Sequence, residues 1–272
     1  MGSLHGFSSL VKKASLAGAF FVSAIWLAPA QAEVFCPALT AVSTVEVQRV
    51  VDGDTLRLQD GRSVRMIGVN APETGKKGRS DEPFAVAARQ RLQALVDASD
   101  GRVGMVLGRE SKDRYGRTLA HLYDANGANL EAQILAEGLG FLVAVAPNVD
   151  LVACQQAAER SARQARLGLW RQSPIQKVTQ IKRSGFAVVS GQVSKVERNR
   201  GGIWIELQGS LVLKVAPNLV DQFDSAMLTR LQGRHIEARG WVLDRSRRGG
   251  LKRGQARWLL PLTDPGMLQS VP

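Results

Sequence analysis

A chain of 272 residues is long enough for one or two domains, each with a core of its own. Its three His are scattered without ligand spacing and it has only two Cys, which argues against a zinc site; it also lacks a glycine-rich phosphate loop and a serine-nucleophile motif. The formal net charge of +12 is uneven: by count, residues 33–171 hold 18 Lys and Arg against 17 Asp and Glu, whereas residues 172–272 hold 16 against 7. A basic part beside a near-neutral one points to a holder of polyanions, the alternative being a solvated, solubilising face.

The first residues read as a secretory leader. Lys12 and Lys13 supply the positive start, residues 14–27 are apolar and uncharged, and Ala30-Gln31-Ala32 is a small-x-small cleavage site. Cleavage is expected after Ala32, leaving Glu33 first. The apolar run is shorter than the roughly 20 residues that span a bilayer. A periplasmic or secreted product, without stable membrane insertion, is therefore expected. In such an oxidising compartment Cys36 and Cys154 are expected to form a disulfide, tying an N-terminal extension to a helix that begins near Asp150; two unpaired thiols are the alternative.

Val45, Val47, Val50 and Val51 read as a strand running into a turn at Asp52. Leu56 and Leu58 alternate with Arg57 and Gln59 in a second strand, and Asp60-Gly61 signals a hairpin. Val64, Met66 and Gly68 alternate with Arg65, Ile67 and Val69, a third strand buried on both faces, which Pro72 ends. Ser80 or Asp81 can cap a helix with Pro83 in its first turn. Phe84, Ala88, Leu92, Leu95 and Val96 form its apolar stripe. Strands follow at 103–107 and 118–123. Three strands, a helix and two strands are the order of an OB-type five-stranded barrel. Helices are predicted over 129–137 and 148–167, stopped by Gly138 and Gly168. Ser173-Pro174 marks a boundary. The same order then repeats: strands at 186–196, 203–207 and 211–215, a short helix from Pro217 to Leu228, and strands at 235–243 and 256–260. The expected fold is mainly β with helices (α+β). It comprises a leader (1–32), a barrel domain (33–171) and a basic, OB-like second domain (172–272).

The chemistry gathers in three motifs: Asp52-Gly53-Asp54-Thr55; Arg65 followed by Asn70-Ala71-Pro72-Glu73; and Asp113-Arg114-Tyr115-Gly116-Arg117-Thr118-Leu119-Ala120. A carboxylate in a turn between strands, as at Asp54, can reach a cation without strain. Asp52 reads as holding water or the turn. Arg65 sits mid-strand in an apolar setting, where an unpaired charge is expensive, so it needs an anionic partner. Arg117 follows a turn that would project it beside Arg65. Two guanidinium forks suit the phosphate oxygens that gain charge during transfer. Glu73 can act as general base for an attacking water.

All three motifs in this order resemble the staphylococcal nuclease (thermonuclease) family, over residues 44–170. The resemblance implies that Asp54, Asn70 and the Ala71 carbonyl hold Ca²⁺, that Glu73 activates water, and that Arg65 and Arg117 clamp the phosphate. Arg114 and Tyr115 match positions that contact a nucleotide's terminal phosphate. It implies cleavage of DNA and RNA with little sequence preference, leaving 5′-hydroxyl and 3′-phosphate ends. Two departures stand out. The best-known member has aspartate where Asn70 stands, so Ca²⁺ should bind more weakly here. It also has tyrosines, one of which stacks on a base, in the region of Phe141 to Ala146, where Ala144 and Ala146 cannot stack. Two rival readings are a non-catalytic nucleic-acid-binding module and an envelope protein that holds acidic polymers. A monomer is expected.

The second barrel places Trp204, Trp241 and Trp258 among basic residues. Arg245, Arg247, Arg248, Lys252 and Arg253 crowd one of its loops. Aromatics beside a basic groove are how OB barrels hold single strands, whereas each Trp taken singly reads as core filling.

Overall fold

The computed structural model describes residues 1–2, 35–75, 78, 80–247, 250–251 and 254–271. Residues 3–34, with most of the expected leader, its expected cleavage point and Glu33, lie outside the described residues, as do Arg248, Lys252 and Arg253 of the basic loop. Among the described residues no helix is long and apolar enough to cross a membrane.

Strands β1 (Ser43–Asp52), β2 (Thr55–Leu58) and β3 (Ser63–Met66) form an antiparallel run. Leu56, Leu58, Val64 and Met66 are buried at alternate positions, so one face of each strand lines a common interior. The strand expected over 64–69 is in fact two pieces. Gly68 takes a left-handed conformation (φ 89), and a Cβ there would lie 1.9 Å from Gln155 Oε1. The chain therefore breaks, and β4 (Val69–Asn70) leaves the barrel.

Helix α1 (Ala85–Asp97) buries Ala85, Ala88, Leu92, Leu95 and Val96. Its start corrects the sequence reading. Phe84 is exposed, opens the helix with φ 67, and no side chain caps it. Asp81 Oδ1 accepts the Gly75 N–H at 2.7 Å instead, which closes the preceding loop, and Pro83 lies ahead of the helix. Strands β5 (Arg102–Lys112) and β6 (Thr118–Tyr123) complete a closed barrel of order β1-β2-β3-β6-β5, with β3 and β6 parallel. This is the expected OB-type order.

Helix α2 (Leu130–Ala136) begins at Asn129, whose side chain accepts the Ala132 N–H at 3.0 Å. Strand β7 (Phe141–Leu142) pairs with β4. Helix α3 (Val152–Gln164) is shorter than the 148–167 expected. At its start Asn148 is tied to β5, accepting the Glu110 N–H at 3.0 Å and donating to the Glu110 carbonyl at 2.8 Å. At its end Arg166 turns left-handed (φ 52) before Gly168. A disulfide joins Cys154 of α3 to Cys36, with Cα atoms 5.6 Å apart.

Beyond β8 (Ile175–Lys177) come β9 (Gly185–Asn199), β10 (Gly202–Leu207) and β11 (Leu211–Val215). A 3-10 turn (Pro217–Gln222) and helix α4 (Ser225–Thr229) replace the single helix expected from Pro217. Strands β12 (His235–Asp244), β13 (Trp258–Leu262) and β14 (Leu268–Ser270) follow. Because β12 also pairs with β9, the strands β9-β10-β11-β13-β12 close into a second ring, with β11 and β13 parallel. The first ring's order and its one parallel pair are repeated. Of the three tryptophans, only Trp258 is buried; Trp204 is half-buried and Trp241 is 40% exposed, so core filling holds for one of them.

Val34–Pro272 form one compact unit. At its centre α3 meets β12 through buried charge. Arg239 Nη1 lies 2.7 and 2.6 Å from the Glu159 carboxylate oxygens, and its Nη2 lies 2.9 Å from Glu237. Arg163 also pairs with Glu237 and stacks 4.0 Å from the Trp170 ring. Ala144 and Val152 pack into the second barrel's core, and Thr263 donates to the Ala144 carbonyl at 2.8 Å.

Candidate functional site

The turn from β1 to β2 is inward-facing. Asp52 and Asp54 are only 5% and 2% exposed, since α1 and Ala71 cover the turn. Glycine is required between them: a Cβ on Gly53 would stand 2.5 Å from Ala88 Cβ and 2.8 Å from Ala71 Cβ. Buried carboxylates need partners, and the structure supplies them. Asp54 Oδ1 accepts the Thr55 hydroxyl at 2.8 Å; Oδ2 accepts the Ala71 N–H at 2.8 Å and meets Arg65 Nη1 at 3.0 Å. Asp52 accepts the Thr74 hydroxyl.

Arg65 lies opposite Thr55 in the β2–β3 register, so its side chain rises beside the same turn. Its Nη1 donates to the carbonyls of Val69 at 2.8 Å and Met66 at 3.1 Å, and its Nη2 donates to Asn70 Oδ1 at 3.1 Å. The break at Gly68 makes these bonds available, because it turns the 66–70 carbonyls and Asn70 back toward Arg65. Asp54, Arg65, Asn70 and Ala71 are thus directly connected. The required anionic partner of Arg65 is Asp54.

Glu73 opens a loop that closes on itself. Its N–H donates to Glu82 Oε2 at 3.0 Å and its carbonyl accepts the Glu82 N–H at 3.0 Å. The loop places Glu73 one residue from Thr74, the partner of Asp52, and on the exposed side of the buried Ala71 and Pro72.

Arg114, Tyr115 and Arg117 form a second group on the turn into β6. Arg114 Nη2 donates to the Tyr115 hydroxyl at 2.6 Å and lies 4.7 Å from that ring's centroid. Arg117, expected beside Arg65, is held here by Asp113. Its Nε donates to Asp113 Oδ2 at 2.7 Å, and its guanidinium lies 5.6 Å from the Tyr115 ring. The reason is local: Asp113 Oδ1 also accepts the Tyr115 and Arg117 N–H groups, both at 2.9 Å, so the carboxylate sits within the turn. Burial raises the Asp113 pKa, but the Arg117 side chain and these N–H groups outweigh it and hold the carboxyl below its ordinary value. The two groups lie on neighbouring parallel strands, with Thr118 facing Val64.

For a metal, the available donors near Asp54 are all oxygens: its carboxylate, the Asn70 amide and the Ala71 carbonyl. Such a set fits a hard cation of the Ca²⁺ or Mg²⁺ type. It is poor in negative charge, and no group of three His, Cys, Asp or Glu at metal-holding spacing occurs among the described residues. Thr55, Thr74 and Glu82 were not anticipated from the sequence. Thr55 closes the first motif and Thr74 follows the second, which was the available signal; the closure by Glu82 depends on a loop path that carries none.

The chain is similar to known proteins over the part that carries this site. The family described as staphylococcal nuclease homologue matches residues 63–172. A thermonuclease of Staphylococcus intermedius is 33% identical over 127 residues, covering 46% of this chain and 74% of that protein. A micrococcal nuclease of Shigella flexneri is 32% identical over 136 residues, or 46% and 72% of the two chains. The endonuclease YncB of Bacillus subtilis (strain 168) is 30% identical over 133 residues, 47% of this chain and 62% of that one.

Proposed function

Since the chain belongs to the staphylococcal nuclease family and is a nuclease, we propose that it is a Ca²⁺-dependent phosphodiesterase that cleaves DNA and RNA with little sequence preference. One observation carries this reading: the buried Asp54–Arg65 pair, with Asn70 and Ala71 bonded to its two members, lies at the mouth of the first barrel.

In this reading Glu73 accepts a proton from a water as its oxygen attacks phosphorus. The bond to the 5′ oxygen breaks, and that oxygen takes a proton from solvent, leaving a 3′-phosphate and a 5′-hydroxyl. Arg65 is oriented in advance by Asp54 and two carbonyls, all on Nη1. That leaves donor capacity on Nη2 and Nε for a phosphate oxygen, with little reorganisation. Arg117 is the second clamp and would exchange part of its contact with Asp113 for phosphate. Arg114 and Tyr115, on the exposed turn, would meet the next phosphate along. A cation held by Asp54, Asn70 and Ala71 would polarise the phosphate and neutralise developing charge.

We also propose a periplasmic or secreted location. The Cys36–Cys154 disulfide suits an oxidising compartment, and the leader-like residues 12–32 agree. The test of function is digestion of plasmid DNA and of RNA with Ca²⁺ and with a chelator, followed by end-group analysis. Ca²⁺-dependent products with 3′-phosphate ends are expected. Inertness toward both polymers at every Ca²⁺ concentration overturns the reading.

A further inference from the structure

We propose that the outer face of the second barrel is a separate nucleic-acid site. There a base of a single strand stacks on Trp204, while Lys214 and Arg245 meet its phosphates. The choice of ligand rests on the nuclease reading; the site itself does not.

Trp204 lies in β10 between Ile203 and Ile205, both buried, so strand alternation sets it on the outside. A tryptophan that serves only packing points inward, as Trp258 does. The ring is held by its edge. Its indole N–H donates to Asn199 Oδ1 at 3.1 Å, and Asn199 in turn donates to Glu197 at 3.0 Å and accepts the Gly201 N–H at 2.8 Å. The one polar atom of the indole is thereby satisfied, and the ring is oriented before any ligand arrives.

Two cations lie over the ring, so a stacking base would take the place of one of them as that cation moves to a phosphate. Lys214, its cross-strand neighbour on β11, places Nζ 4.8 Å from the ring centroid, and Arg245 places Cζ 6.0 Å from it. Among the described residues neither makes an ion pair with a carboxylate; Arg245 only donates to the Ala256 carbonyl, at 3.4 Å. Some other cations of this half are neutralised. Lys195 pairs with Glu197 at 2.6 Å, and Arg257 with Asp244 at 2.8 Å. Glu206 shares the face but lies across from Lys195. Among the described residues Lys214 and Arg245 are thus free of a carboxylate and stand beside an outward-facing aromatic ring.

In a five-stranded barrel of this order, strands two and three with the flanking loops take up oligonucleotides and oligosaccharides. Here these are β10, β11, the β9–β10 turn and Arg245, which directly follows β12. Stacking on an aromatic suits either ligand. Charge favours the polyphosphate, because residues 172–272 carry nine more Lys and Arg than Asp and Glu.

The test is fluorescence anisotropy of a labelled oligodeoxythymidine of about 15 nucleotides, with the full chain in chelator so that binding is read apart from cleavage. Trp204→Ala should weaken binding about tenfold, with Trp204→Phe retaining most of it. Lys214→Gln and Arg245→Gln, both surface changes, should each lower the slope of log affinity against log salt by about 1. All three variants should hydrolyse a p-nitrophenyl diester of a single nucleotide at the wild-type rate, since that substrate is too short to reach the second barrel. Unchanged oligonucleotide affinity and salt slope in the three variants overturn the proposal. So does equal affinity for an abasic strand of the same length, or an effect of Trp204→Ala confined to an acidic polysaccharide. A protein that cleaves nothing yet loses affinity on Trp204→Ala would sink the nuclease reading and leave this site standing.

Discussion

Both barrels pass from their first strand to their second through a short turn built of Asp or Asn and Gly, and the two turns have opposite surroundings. In the first barrel Asp52, Gly53 and Asp54 lie beneath α1, with the carboxylates at most 5% exposed. In the second, Arg198, Asn199 and Arg200 stand in solvent. Strand order is the same in both, so topology does not decide where chemistry resides. Cover decides it. Where a helix and the following loop seal the turn, polar groups lose water and must bond one another, which yields a fixed, low-dielectric constellation suited to catalysis. Where the turn stays wet, aromatic and cationic groups rest against one another and can exchange those contacts for a ligand.

The largest expected effect breaks this contrast from the catalytic side. Glu73→Gln should lower turnover by about 10²–10⁴-fold, the usual cost of a lost general base. Melting temperature and oligonucleotide affinity should stay near wild type, because Glu73 lies on the exposed side of the loop. Steady-state cleavage beside a thermal melt and a binding titration measures all three. Wild-type turnover would remove Glu73 from the mechanism.

A second substitution asks whether the barrels are independent at all. Arg239→Ala leaves the buried Glu159 and Glu237 with Arg163 as their one remaining cationic partner among the described residues. Removing one member of a buried ion pair costs about 3–5 kcal/mol. The loss should appear as an earlier urea midpoint of a single transition that includes both halves. A chain ending near Arg171 should suffer similarly, since it also uncovers Ala144 and Val152. Two separate transitions in the wild type would show that the junction does not couple the barrels.

The comparison also shows what could be read in the sequence. Both strand orders were legible, because alternation and turn residues fix them locally. The Asp54–Arg65 pairing was half legible: an arginine inside an apolar strand demanded an anion, but not which one. The break at Gly68 was not, because it depends on Gln155, 87 residues further on, filling the space a side chain would need. The pairing of Arg117 with Asp113 was missed for a different reason. Both belong to one motif, but the sequence showed only that Arg117 follows a turn, not that the Asp113 carboxylate folds into that turn to accept the Arg117 side chain. Likewise the ion network at Arg239 joins residues 80 apart, and only the i, i+4 pair Glu159 and Arg163 could have hinted at it.

Asn70→Asp sharpens the contrast within the first barrel. The Asn70 amide oxygen already accepts from Arg65 at 3.1 Å, so a carboxylate there would strengthen that bond as well as any cation site. Added ligand charge should prevail for a divalent ion, lowering the Ca²⁺ concentration for half-maximal cleavage by about tenfold. A titration with no shift, or a shift upward, would mean that Asn70 serves Arg65 alone.

The smallest effect is expected at the wet edge of the same barrel. Asp113→Asn keeps an acceptor for the Tyr115 and Arg117 N–H groups but removes the charge opposite Arg117. For a partly exposed i, i+4 pair this should cost between a few tenths and about 1 kcal/mol. The pH dependence has a definite sign. Burial pushes the Asp113 pKa up, but the bonds from Arg117 and Tyr115 prevail and the folded value is lowered. A lowered carboxyl stabilises the fold fully above its unfolded pKa, near 3.9, and loses that contribution as pH falls through the folded value. The difference in melting temperature between wild type and Asp113→Asn should therefore be constant from about pH 5 to 8 and vanish at more acid pH. A difference that grew toward pH 3 would show that the pair does not hold the carboxyl in its charged form, and the turn would then rest on its backbone bonds alone.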